Sequence, residues 1–144
     1  VLRYKDSEIE AEFWHDSVSP ALRHVFIWLA EFCHVNFGKD VIVTDILRPA
    51  NPDKPSAHTT GHGGDFKANN GYWAEYERRE IVKEFTSRFG RADGKKVIFF
   101  HSGIAPDGSL IADVNDPNYH GHIQIQQGAQ VIYFTKQPEG INAS

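Results

Sequence analysis

The sequence predicts an α+β fold, in which a small, largely antiparallel sheet carries helices packed on one face. Three observations lead there. The elements run helix, strand, strand, helix, strand, hairpin; the strongest helical stretch carries an apolar stripe that must be buried; and the last two strands flank a short Gly-bearing turn. At 144 residues, 40% hydrophobic and 24% charged, the chain fits a single domain over residues 1–144.

Residues 7–15 read as a short helix with Glu8, Glu10 and Glu12 on its polar side. Ser19-Pro20 then supplies an N-cap and a Pro at the first helical position. Leu22, Val25, Phe26, Leu29, Phe32 and Cys33 recur at helical spacing, and Gly38 stops the helix. Residues 40–47 are rich in β-branched side chains and read as a buried strand. Pro49, Pro52 and Pro55 make residues 48–55 a loop.

A second amphipathic helix is predicted over residues 72–89, with Trp73, Tyr76, Ile81, Phe85 and Phe89 as core candidates and Gly90 at its end. Residues 96–101 form another strand and residues 102–118 a polar loop. Residues 119–126 and 130–135 make a hairpin around Gln127-Gly128-Ala129. Trp14 and Trp28 read as core or half-buried residues, and His15, His24 and His34 as structural or solvated ones.

Composition removes several function classes. A net charge of −4 with no basic run offers nothing to nucleic acid or anionic lipid. No stretch approaches the ~18 apolar residues of a membrane span, so no membrane insertion is expected. The single cysteine, Cys33, excludes an internal disulfide and a thiolate zinc site; in its apolar setting a buried, inert thiol is expected. The expected state is a monomer. Eight histidines stand out, and what matters is which of them converge.

The densest cluster is Ser56-Ala57-His58-Thr59-Thr60-Gly61-His62-Gly63-Gly64-Asp65. Fully extended, the seven steps from residue 58 to 65 would span about 23 Å, too far for a shared metal. Gly61, Gly63 and Gly64 allow positive φ and close backbone approach, so the chain can fold His58 back over Asp65. The same glycines and threonines disfavour a helix carrying His58 and His62 at i, i+4. The second cluster is Tyr119-His120-Gly121-His122-Ile123-Gln124-Ile125. On a strand, His120 and His122 share one face, and Ile123 and Ile125 share the core face. His58, Asp65, His120 and His122 are thus four possible ligands. Four would close a zinc shell; three leave a position for water.

Ser-x-His-x-x-Gly-x-x-x-Asp followed by a late His-x-His resembles the LAS metallopeptidases, from the helix near Leu22 to about Ile125. That group contains D-alanyl-D-alanine carboxypeptidases and dipeptidases, penicillin-insensitive murein endopeptidases, phage L-alanoyl-D-glutamate endolysins and the Hedgehog signalling domain. The resemblance implies a Hedgehog/DD-peptidase-like fold with a zinc ion on His58, Asp65 and His122. It places Arg48, just after a strand, as the arginine facing substrate. Many members carry a Glu three residues before the last ligand, as general base; here Tyr119 stands there. The murein endopeptidase branch has a histidine two residues before that ligand, which His120 matches. Asp113 and Asp116, just upstream, are further candidates for the base.

The resulting expectation is a zinc-dependent peptidase of carboxypeptidase or endopeptidase type that degrades peptidoglycan. Zinc would activate water, His120 would move the proton, Arg48 would pair with a substrate carboxylate, and Ser56 would brace the loop or touch substrate. The alternative is a non-catalytic zinc module binding peptidoglycan or protein. A structural zinc site with His120 as fourth ligand is a third reading. His62 reads as a polar loop residue, and His101, at a strand end, as either cleft or surface. Residues 1–6 do not look like a signal peptide, and with Val at the first position this does not settle where the protein works; a periplasmic or extracellular enzyme and a phage lysin would read alike.

Overall fold

The computed structural model describes residues 1–48, 56–91, 93–126 and, as backbone, 132–133. Among these the chain is α+β, with three α-helices and a mostly antiparallel mixed sheet. Strands β1 (Leu2–Tyr4), β2 (Val41–Asp45) and β3 (Gly63–Lys67) precede two short strands of other ladders, β4 (Phe89–Gly90) and, later, β6 (Gly103–Ile104). Between them lies β5 (Ile98–His101); β7 (Leu110–Ile111), β8 (His120–Gln124) and β9 (Ile132–Tyr133) follow. The main sheet has the order β1-β2-β3-β8-β5. Its one parallel pair is β1 on β2.

Three helices complete the fold: α1 (Ser7–Phe13), α2 (Pro20–Phe37) and α3 (Glu75–Arg88). Asp6 caps α1, its carboxylate accepting from the Ile9 N–H at 2.9 Å. Pro20 opens α2, and Gly38 closes it in the left-handed conformation at φ 64°. The predicted stripe is buried as Leu22, Val25, Phe26, Leu29 and Cys33, joined by Ala30, while Phe32 packs partly buried against it. Each fully buried Val, Leu or Phe there contributes about 1.5–3 kcal/mol. Burial also pushes the Cys33 thiol up to about 12, with Glu77 adding to the effect, so it stays protonated and inert.

The stripe packs on one face of the main sheet. The Phe26 ring meets Phe66 of β3 edge-on at 6.3 Å. A Cβ added at Gly64 would lie 2.7 Å from both Phe26 and Ile46, so a glycine is required for the helix to approach this closely. The same holds at Gly121 in β8, where a Cβ would stand 2.1 Å from the Phe66 ring. Gly121→Ala is therefore expected to cost about 3 kcal/mol through overpacking. For a chain of this size that is a fall of roughly 10 °C in Tm, measured by calorimetry without metal.

Several sequence expectations need correction. β8 does not form a hairpin with the following strand. It is already paired on both sides, by β3 and β5, so neither edge can accept another strand. The chain goes on to pair Ile132 with Gly90 and Tyr133 with Phe89. The turn around Gln127-Gly128-Ala129 and residues 49–55 lie outside the described residues.

The second helix begins at Glu75 rather than residue 72. Asn70 and Gly71 both take positive φ, and the Ala74 N–H bonds to the Glu77 carboxylate at 2.7 Å, which sets the start. Tyr76 is 55% exposed, because the buried stripe of α3 runs Glu77, Ile81, Phe85 and leaves it about 100° off. Trp14 is also 55% exposed: it caps the end of α1 and donates to the Tyr4 hydroxyl instead of entering the core. Finally, the loop over residues 102–118 holds the β6–β7 hairpin.

Candidate metal centre

Strand register brings the chemistry together. Successive residues of a strand alternate faces, so Phe66, Gly121 and Ile123 turn to α2 while Asp65, His120 and His122 turn the other way. Asp65 of β3 stands directly opposite His122 of β8, and His122 opposite Phe99 of β5. Two residues along β8, His120 stands opposite His101. Cross-strand neighbours have Cβ atoms about 4.5–5.5 Å apart, which is close enough for their side chains to meet on one ligand.

His58 arrives from outside the sheet. It lies in a single 3-10 turn over Ala57–Thr60, capped by the Ser56 hydroxyl, which accepts the His58 N–H at 3.2 Å. Gly61 then reverses the chain at φ 74°. A side chain there would be strained and would stand 2.0 Å from the Ser17 carbonyl oxygen. The fold-back expected of three glycines is thus made by Gly61 alone; Gly63 and Gly64 belong to β3 and permit close packing. His58 comes to rest fully buried beside Asp65.

Carbonyl and carboxylate oxygens both only accept, so each ring nitrogen of His58 and His122 faces an acceptor and the roles depend on the tautomer. His58 Nδ1 lies 3.0 Å from the Ile46 carbonyl and His122 Nε2 3.0 Å from the Gln124 side-chain oxygen, the contacts through which each neutral ring would donate when its other nitrogen binds a metal. A proton at His122 Nδ1 or His58 Nε2 hydrogen-bonds Asp65; without it the same nitrogens offer lone pairs to a cation. Both face the same carboxylate oxygen, Asp65 Oδ1, at 3.2 and 2.7 Å. Three acceptors so close repel one another unless a proton or a cation lies between them.

A cation fits. Ligand atoms held ~2.0–2.1 Å from a tetrahedral ion lie about 3.3 Å apart. His58, Asp65 and His122, all buried, each offer one ligand atom within 4.8 Å of the others. His101, His120 and His122 form a second group that meets the same distance. His101 and His120 also have Nδ1 tied off, to the Gly103 carbonyl at 3.2 Å and the Asn118 carbonyl at 2.6 Å. Their rings are 4.4 Å apart, and His120 Nε2 is 3.7 Å from Asp65 Oδ2. The two groups share His122, so they are two halves of one polar floor.

Charge on that floor is set by burial and partners. Burial alone pushes the Asp65 carboxyl upward, but its hydrogen bonds with His122 and His58 prevail and hold it well below the usual carboxylate range. Burial, aided by the His120 and His122 imidazoles, lowers His101 below the usual imidazole value, against the opposing pull of the Gly103 carbonyl. A neutral imidazole and an ionised carboxylate are the forms that bind metal. Arg48 is gripped by Asp45, NH2 to Oδ2 at 2.6 Å, and reaches Asp65 Oδ2 at 3.4 Å with its side chain 46% exposed.

The remaining candidates fall in different places. Ser56 caps the turn and lines the cleft with Arg48. His62 points away, with Nδ1 on the Thr60 hydroxyl at 2.9 Å, as a polar turn residue. Tyr119 is buried, stacked on Phe100 on the sheet's other face. Asp113 and Asp116 turn onto their own loop, accepting from the N–H groups of Asn115 and Asn118. His15, His24 and His34 are exposed.

Sequence reasoning underrated His101 and missed Gln124 and Asp45, which orient His122 and Arg48. The alternation Phe99, His101 was the available signal for the first; only the pairing of β5 with β8 gives it meaning. His58, Asp65, His101, His120, His122 and Gln124 line a cleft of about 620 Å³. Compared with family models, curated proteins and solved structures, the chain matches none.

Proposed function

We propose that this chain is a zinc peptidase of the LAS type that hydrolyses peptide bonds of bacterial cell-wall peptidoglycan. One observation carries the reading: two imidazole nitrogens face one buried carboxylate oxygen, and the other nitrogen of each ring lies against a protein carbonyl. Such a carbonyl is a usual partner of a metal-binding histidine. His58, Asp65 and His122 would hold the ion. When bound, zinc supplies Lewis acidity and brings the pKa of water from about 15.7 toward ~7.

The chain's own residues do the rest. His120, with Nδ1 anchored and Nε2 directed to the floor, takes a proton from the attacking water and returns it to the leaving amine. Arg48 pairs with a substrate carboxylate through its planar fork. Both a free C-terminus and a D-glutamyl side chain meet that requirement.

A second reading has its own support. Tyr119 occupies the position where many LAS members carry the general base, and its buried ring turns away from the floor. That favours a zinc module that binds without hydrolysing. Incubation of the zinc-loaded protein with purified peptidoglycan separates the two. New amine and carboxyl ends, identified by mass and abolished by a chelator, are expected from the peptidase. Full zinc loading with no new ends would leave the binding module.

A further inference from the structure

The β6–β7 hairpin stands beside the metal-binding floor and shows it an apolar face. Register pairs Ile104 with Leu110, so their side chains project on the same side. Both line the cleft that contains His58, Asp65 and His122, yet Ile104 is 67% exposed and Leu110 47%. Phe99 continues this wall inward, its ring 5.0 Å from the His122 imidazole. Arg48 also lines this cleft.

The hairpin is braced. The Ser102 N–H and hydroxyl both bond to the Ile111 carbonyl, at 2.6 and 3.0 Å. The Ala105 N–H bonds to the Ser109 carbonyl at 2.8 Å, and Asp107 accepts from the Ser109 N–H at 2.9 Å. Folding therefore fixes two aliphatic side chains against the cleft without covering them. The apolar area left in water is recovered only when something sits on it.

We infer that Ile104, Leu110 and Phe99 form an apolar subsite that takes an aliphatic side chain of the substrate peptide next to the scissile bond. The substrate class rests on the peptidase reading above. Continuity with the metal floor selects the occupant: wall, floor and Arg48 line one cleft, so a single peptide can offer an aliphatic group to the first and a carboxylate to the last.

The test uses the full zinc-loaded chain and two metal-directed probes, acetohydroxamic acid and hexanohydroxamic acid. A fully buried methylene is worth about fourfold in affinity, so four half-covered ones are expected to tighten the longer probe by about tenfold or more. In the Ile104→Ser, Leu110→Ser double variant that gain should shrink to about threefold or less. Affinity for acetohydroxamic acid should not change, which reports an intact fold and metal.

A wild-type protein indifferent to tail length, or a double variant that keeps the gain, overturns the subsite. Binding of neither probe overturns it together with the metal reading. Tail selectivity without peptidoglycan cleavage keeps the subsite and removes the peptidase. Cleavage without tail selectivity does the reverse.

Discussion

Asp65→Ala is expected to abolish zinc binding at the centre and, with it, peptidoglycan turnover. Asp65 is the common point of the site: its Oδ1 faces His58 and His122, and its Oδ2 faces Arg48 and His120. Changing a residue that merely orients a ligand typically weakens metal binding about 10–100-fold, so loss of a direct ligand should cost about 10³-fold or more. It also removes the single negative charge of the ligand set, leaving two neutral imidazoles to meet a dication.

The cleanest readout is thermal. A ligand that binds only the folded state raises Tm, so zinc should stabilise the wild type and leave the variant unmoved. Metal content after dialysis and release of new peptide ends provide the parallel measurements. A variant still stabilised by zinc would move the centre to His101, His120 and His122, the group that does without Asp65. The Tm of the apo variant against apo wild type reports the fold separately, because the change also takes the shared partner from His58 and His122.

Why this centre was readable at all lies in its local segments. The reversal between His58 and Asp65 is encoded within eight residues, and Gly61 carries it by its own conformational freedom. The shared face of His120 and His122 follows from the two-residue repeat of any strand. Arg48 follows a strand whose β-branched run is plain. The α+β class was legible for the same reason, since amphipathic period and capping residues act within one element. Each of these needs only neighbouring residues.

What was illegible depends on partners distant in sequence. The three-residue β1 carries too few side chains to show a pattern, and it is a strand only because β2 lies beside it. β9 reads as the partner of β8 by proximity in the chain, but β3 and β5 had already taken both edges. His101 is the costliest case. Nothing within β5 distinguishes a histidine at a strand end from a surface residue. Its place in the floor comes from being opposite His120 across a pairing that spans the whole β6–β7 excursion. Gln124 is similar: its role exists only because the His122 ring points one nitrogen at it.

The same dependence on a neighbour decides what His120 does, and His120→Ala is expected to separate catalysis from metal holding. Three features make it the proton carrier in the proposed reaction. Its side chain is 25% exposed, whereas those of His58 and His122 are 3% and 9%, so of these three it is the most open to the cleft. Its Nδ1–H is fixed by the Asn118 carbonyl, which holds the ring with Nε2 toward the floor. Its Nε2 sits 3.7 Å from Asp65 Oδ2, a looser approach than either proposed ligand makes to Oδ1.

Loss of a general base typically lowers turnover by about 10²–10⁴-fold. In the variant, turnover of peptidoglycan should therefore fall by about 10²-fold or more, while the zinc-induced rise in Tm and the zinc stoichiometry stay as in the wild type. If His120 were instead a fourth ligand closing the shell, the same substitution would remove the thermal gain along with the metal. A variant that keeps both zinc and full turnover would take the proton from His120 and leave His101, on the adjoining strand and 4.4 Å away ring to ring, as the next group able to carry it.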